Sequence, residues 1–209
     1  MTTETLLIEL GTEELPPKLL KVLATTFYEQ IKMQLDGVKL SYTDIQWYAT
    51  PRRLAIKVGG LIASQADKVI EKRGPAINVA FDADGNASKA AQGWARSNGI
   101  TVDQAERLVT DKGEWLLHKA SEQGKPGEAL IPAIVNQAVT KLPIPKPMRW
   151  GAGRTQFIRP VHTLTMLYGE KIIEGETLNV RSNNVVTGHR FHHEGLVTIN
   201  HADNYETLL

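Results

Sequence analysis

Apolar residues along this chain change their period several times, and each change marks an element. Thr5 to Leu10 is a short, nearly continuous apolar run stopped by Gly11, which predicts a buried strand. Pro16 and Pro17 then suit the first turn of a helix, where a missing N–H costs little. Leu19, Leu23, Phe27, Ile31 and Leu35 follow at steps of four, with Leu20 and Ala24 widening the apolar face until Gly37 ends it. Strands are expected at Ile45 to Ala49 and Arg53 to Leu61, either side of Thr50-Pro51-Arg52, and again at Lys68 to Arg73.

From Gly74 the texture changes. Asp84-Gly85 and Asp111-Lys112-Gly113 mark turns around a short helix from Ser88 to Asn98, with Gly99 as its stop. A further short helical signal at Val102 to Arg107 gives this stretch the look of a helix-turn-helix, but that second helix is too short to lie along a major groove. Asp111-Lys112-Gly113 ahead of Trp115-Leu116-Leu117 reads as a β-hairpin, and Ala129 to Leu142 as an amphipathic helix ended by Pro143. Val185, Val186, Phe191, Val197 and Ile199 suggest extended structure broken by Gly188 and Gly195. The last residues, Asp203 to Leu209, read as the opening turns of a helix with a cap but too few residues to be stable alone.

Composition sets limits more than it points. At 209 residues, 42% hydrophobic and 22% charged, the chain can bury a core without staples. Its formal net charge of +1 means that any nucleic-acid contact must be local. The absence of cysteine excludes disulfides, thiolate zinc sites and a cysteine nucleophile, and fits the cytoplasm. No apolar run approaches the roughly 20 residues of a membrane span, and the acidic start is the opposite of a secretory leader.

The distribution of charge says more than the net value. Between Ala129 and Gly169 there is no Asp or Glu, while Lys141, Lys146, Arg149, Arg154 and Arg159 all fall there. Pro143, Pro145, Pro147, Pro160, Gly151 and Gly153 make much of this window an irregular, partly preset segment carrying planar bidentate donors. Such a segment can meet phosphates, and Trp150 and Phe157 within it can stack on unpaired bases. The alternative is that the arginines pair with acids elsewhere and the aromatics are core. Thr50-Pro51-Arg52-Arg53 is a second basic turn, in which one arginine is expected to have a structural partner among Glu9, Glu13 and Glu14. Glu13 and Glu14, just ahead of the first helix, are expected to complement its dipole.

His189, His192, His193 and His201, with Asp203 nearby, raise the possibility of a metal site. Their spacing is poor for one, since adjacent residues of a strand diverge and no HExxH frame is present. His189-Arg190 as a phosphate or sugar contact, and structural hydrogen bonding, are the other readings. There is no GxxxxGK[ST] loop, no GxGxxG and no GxSxG.

LLIELGTEELPP, ATPRRLAIKV, EKRGPA, KAAQGWARSNGI, KGEWLL, PMRWG, FIRPVH, LYG and TGHRF occur in an order and spacing that resemble the amino-terminal part of the β subunit of bacterial two-subunit glycyl-tRNA synthetases. The resemblance runs through nearly the whole chain. It implies an enzyme of two α and two β subunits that joins glycine to its tRNA, with ATP and magnesium used in the α subunit and the β subunit mainly holding the tRNA. Anticodon recognition, which the family carries near the far end of a longer subunit, is not expected here.

The expected fold is therefore α+β: a mixed sheet with flanking helices, formed by residues 1–73 and 143–209, with 74–142 as an inserted small α/β subdomain and connecting helix. Its expected role is tRNA positioning and subunit scaffolding, with no catalytic residue, metal or cofactor of its own. Expected partners are the α subunit, the tRNA for glycine and the remaining β-subunit domains, with no membrane. Arg149, Arg154, Arg159 and Arg190 lead the candidate RNA contacts, with His189 and Trp150, followed by Arg52, Arg53 and Arg73. About four phosphate contacts imply a salt slope near −3.6, so affinity falls roughly 10²-fold between 50 and 200 mM salt. Rival readings are a protein-interaction scaffold without RNA contact and a histidine-dependent metal hydrolase with an editing-type activity.

Overall fold

The structure, a computed structural model, describes residues 2–111, 113–150, 155–188 and 195–208. In chain order its elements begin with strand β1 (Thr3–Thr12), helix α1 (Pro17–Gly37), and strands β2 (Asp44–Thr50), β3 (Arg53–Ile62) and β4 (Lys68–Ala76). Helices α2 (Ile77–Ala80) and α3 (Lys89–Ser97), strands β5 (Glu106–Thr110) and β6 (Gly113–Glu122), and helix α4 (Gly127–Thr140) follow. The remainder comprises short strands β7 (Met148–Arg149) and β8 (Gln156–Phe157), then β9 (Val161–Tyr168), β10 (Lys171–Ile172), β11 (Glu176–Thr177), β12 (Val180–Asn183), β13 (Val185–Thr187) and β14 (Leu196–Thr198). Helix α5 (Tyr205–Leu208) is the last. The fold is α+β. Among the described residues, no helix is long and apolar enough to cross a membrane.

Contacts divide the chain into a larger unit, residues 1–65 and 125–209, and a smaller one, residues 66–124. The division differs from the 74–142 boundary expected from sequence at both ends. Strand β4 belongs to the smaller unit because its ladder partner is β6, from Lys68 opposite Glu122 onward. Helix α4 belongs to the larger unit because Ile131, Ile134, Val135, Ala138 and Val139 are buried in that unit's core.

In the larger unit the sheet runs β11-β12-β9-β1-β3-β2, with β10 also paired to β9. β1 pairs antiparallel with β3 and with β9, whereas β12 joins β9 in parallel. The sheet is buried on both sides, which accounts for the unbroken apolar run in β1. Leu6, Ile8 and Leu10 meet α1 through Leu23, Phe27, Ile31 and Leu35, and meet α4 as well. Leu7, together with Ala55 and Leu167, faces a second cluster of Val186, Val197, Ile199, Ala202 and Tyr205. By the alternation of a strand, Glu9 falls on this second side.

The smaller unit is a three-stranded antiparallel sheet, β4-β6-β5, with a core of Ala80, Ala91 and Leu116 against which Trp94 packs. Ser88 caps α3 by accepting from the Ala91 N–H, as a Ser at that position should. The helical signal at Val102 to Arg107 is corrected here. Only Val102–Gln104 makes a single 3₁₀ turn, and Glu106 onward is recruited as the edge strand of the hairpin with β6. The hairpin pairs Thr110 with Gly113; Lys112 at its tip lies outside the described residues.

Candidate nucleic-acid interface

The acidic turn after β1 is positioned by backbone, not by its carboxylates. The ladder with β9 is irregular between Gly11 and Thr12, and Gly11 lies so close to β9 that a Cβ there would sit 2.1 Å from Thr163 Oγ1. Beyond it, the Thr12 N–H donates to the Arg52 carbonyl at 2.8 Å and the Glu13 N–H to the Pro160 carbonyl at 2.9 Å. The Leu15 N–H donates to the Pro51 carbonyl. The turn is thus clipped between the Pro51-Arg52 hairpin turn and the segment that enters β9. That juxtaposition brings Glu13 Oε2 within 3.3 Å of Arg52 Nη2 and Glu13 Oε1 within 3.1 Å of His162 Nε2. Arg52 also lies 3.6 Å from Glu14.

These groups stand at a cleft of about 430 Å³ that Thr12, Arg53 and Gly188 also line. A shallower hollow of about 750 Å³ shares Glu13 and Arg52 with it and adds Pro17 and Arg159. Glu13 and Glu14 lie ahead of α1, and their side chains pair with Arg52 and, for Glu13, with His162 as well. Glu13 was expected as a possible partner of the basic turn, whereas His162 was not among the residues singled out from sequence. The signal that finds them is charge segregation: the base-free first fifteen residues meet the acid-free window of 129–169 at this point.

Beneath the rim, Glu9 is 1% exposed. Arg53 Nη1 lies 3.5 Å from it, Arg53 Nη2 donates to the Thr187 carbonyl at 2.7 Å, and the Tyr205 hydroxyl donates to the same Glu9 oxygen. Burial pushes the Glu9 carboxyl above its ordinary range, against the opposing pulls of Arg53 and Tyr205. Both arginines of the basic turn therefore have acidic partners. Arg53 turns mostly to the interior, 14% exposed, whereas Arg52 remains at the surface.

The other candidates divide. Arg149 is exposed, and with the Gln156 amide oxygen turned toward it, its Nε and Nη2 donate at 2.7 and 3.0 Å across the β7–β8 pair. Arg159 donates from Nε to the Glu14 carbonyl at 2.9 Å and from Nη1 to the Ile158 carbonyl at 3.0 Å. Among the described residues, neither has a carboxylate within ion-pair distance. Phe157 is sealed in the core and Trp150 packs partly against it, so Phe157 is no stacking platform and Trp150 offers only a portion of its ring. Arg73 lies in the smaller unit, its guanidinium 3.7 Å from the centre of the Trp115 ring. Arg154, His189, Arg190, His192 and His193 lie outside the described residues. His201 Nδ1 accepts from the Asp203 N–H at 3.2 Å, and no group of three or more metal-ligating side chains occurs among the described residues.

Residues 6–209 match the family model described as glycyl-tRNA synthetase beta subunit. The whole chain is 71% identical to the glycine–tRNA ligase beta subunit of Colwellia psychrerythraea, 60% identical to that of Psychromonas ingrahamii and 57% identical to that of Yersinia pestis. In each case the chain spans 30% of the relative's length. On a match of this extent, the chain belongs to the glycyl-tRNA synthetase beta subunit family.

Proposed function

We propose that this chain is the amino-terminal part of the β subunit of a two-subunit glycyl-tRNA synthetase, where it positions tRNA and scaffolds the assembly for ATP-dependent attachment of glycine to its tRNA. It supplies no catalytic residue. ATP and magnesium are used by the α subunit, which is a partner along with the tRNA for glycine and the remaining β-subunit domains. A cytoplasmic location goes with this reading. The observation that carries it is the state of Arg149 and Arg159: in a chain with nearly balanced charge, both lack a carboxylate partner among the described residues. Arginines left without a counter-anion on a preset, proline-rich segment are suited to the phosphate backbone.

The test is binding of glycine tRNA and of a noncognate tRNA at two salt concentrations, with Arg149→Ala/Arg154→Ala/Arg159→Ala as the comparison. Loss of two to three phosphate contacts reduces the salt slope by about 2–3. A folded triple variant with an unchanged slope would leave the chain a scaffold without RNA contact.

A further inference from the structure

The Glu13 carboxylate is held as a bound anion would be. Arg52 Nη2 reaches one of its oxygens at 3.3 Å and His162 Nε2 the other at 3.1 Å, the two-sided arrangement in which a phosphate is received. We infer that Glu13 is a displaceable occupant of an anion site built by Arg52 and His162, and that a phosphate of a single-stranded RNA segment takes its place. The inference rests on the RNA-binding reading above and names the site within it.

Four features support this. The Arg52, Glu13 and His162 side chains are 41%, 45% and 55% exposed, so the existing contacts are surface pairs, the rupture of each costing no more than about a fivefold factor. Arg53 and Glu9 beneath them, at 14% and 1%, have no such freedom. The Glu13 backbone is fixed by its N–H bond to Pro160, so displacement needs only a side-chain rotation. Thr12, which lines the same cleft, carries a buried hydroxyl with no hydrogen-bond partner among the described residues, a group that a ligand oxygen would satisfy. Finally, the two hollows meet at Glu13 and Arg52, so a strand lying through both would run from Arg159 past Arg52 to His162. Narrow, joined hollows suit a splayed single strand in preference to the rigid surface of a duplex.

The experiment uses the protein at its relatives' full length and a short single-stranded oligoribonucleotide, followed by fluorescence anisotropy. Glu13→Gln should tighten binding about fivefold, whereas Glu29→Gln, which removes the same charge from an exposed position on α1, should not. Arg52→Gln should weaken binding, and adding Glu13→Gln to it should give a smaller gain than in the parent, because only the His162 contact with Glu13 is then left to displace. Thermal melting confirms that each variant is folded. Unchanged or weaker binding by folded Glu13→Gln, or equal gains from Glu13→Gln and Glu29→Gln, overturns the inference. If the triple arginine variant meanwhile loses tRNA, the broader reading stands without it. Tightening specific to Glu13→Gln supports the site even if the triple variant retains tRNA.

Discussion

Glu9 is a carboxyl set between the buried Ile8 and Leu10 of β1, and it is tolerable there only because two donors meet it. The Tyr205 hydroxyl and the Arg53 guanidinium approach the same oxygen from elements far apart in sequence, so α5 and β3 are tied through one buried acid. Burial raises its native pKa above the ordinary 4.5, so the folded chain keeps a proton that the unfolded chain has released. Glu9 therefore contributes a loss of stability as pH rises from about 4.5 through its native value. Denaturant unfolding across that window should show a slope that Glu9→Gln flattens. Tyr205→Phe removes a hydrogen bond that holds the Glu9 pKa down, so it should widen the same window and cost about 1–3 kcal/mol through an under-satisfied buried oxygen. Equal stability of Tyr205→Phe and the parent at every pH would show that the contact contributes nothing.

The elements differ sharply in how much of them the sequence reveals. Helix α1 was plain, since Leu23, Phe27, Ile31 and Leu35 at steps of four are all fully buried. So were β1, β2 and β3, the last two joined by the Pro51-Arg52 turn, although β1 runs on through Gly11 to Thr12. What failed was whatever depended on a distant partner. Glu106 to Thr110 has no strong local preference and becomes a strand because β6 offers an edge, while the boundary near Ala66 follows from β4 choosing β6. The site divides in the same way. Basic residues were legible as a cluster, but which arginine is buried was not, because Arg52 and Arg53 are adjacent and only the fold separates them. The turn after β1 depends on one small residue. Gly11→Ala places a Cβ against Thr163 Oγ1 and should cost about 1–3 kcal/mol, and Thr163→Ala should recover much of that in thermal melts. Failure of the second substitution to rescue the first would mean that the close approach is not what requires glycine.

At the scale of the whole molecule, the smaller unit leaves and returns at neighbouring backbones. The Gln65 N–H donates to the Lys125 carbonyl at 2.9 Å, and the Gly127 N–H to the Ala63 carbonyl at 2.7 Å. Replacing 66–124 with a short Gly/Ser link should therefore leave the larger unit with a cooperative melt within a few degrees of the parent. A broad, non-cooperative transition would show instead that the larger unit relies on the smaller one. The sheet order has a consequence for the order of synthesis. Strand β1 is made before the other strands of its sheet and occupies its middle; β3 flanks it by Ile62, but β9 does not begin until Val161. At a translation rate of about 5–20 residues per second, the nascent chain carries one side of β1 unpaired for roughly 5–20 s. An open, leucine-rich edge is a template for any passing strand. The hazard of misassembly for this protein is thus concentrated on the ribosome, and a chaperone that shields extended apolar segments has its window there.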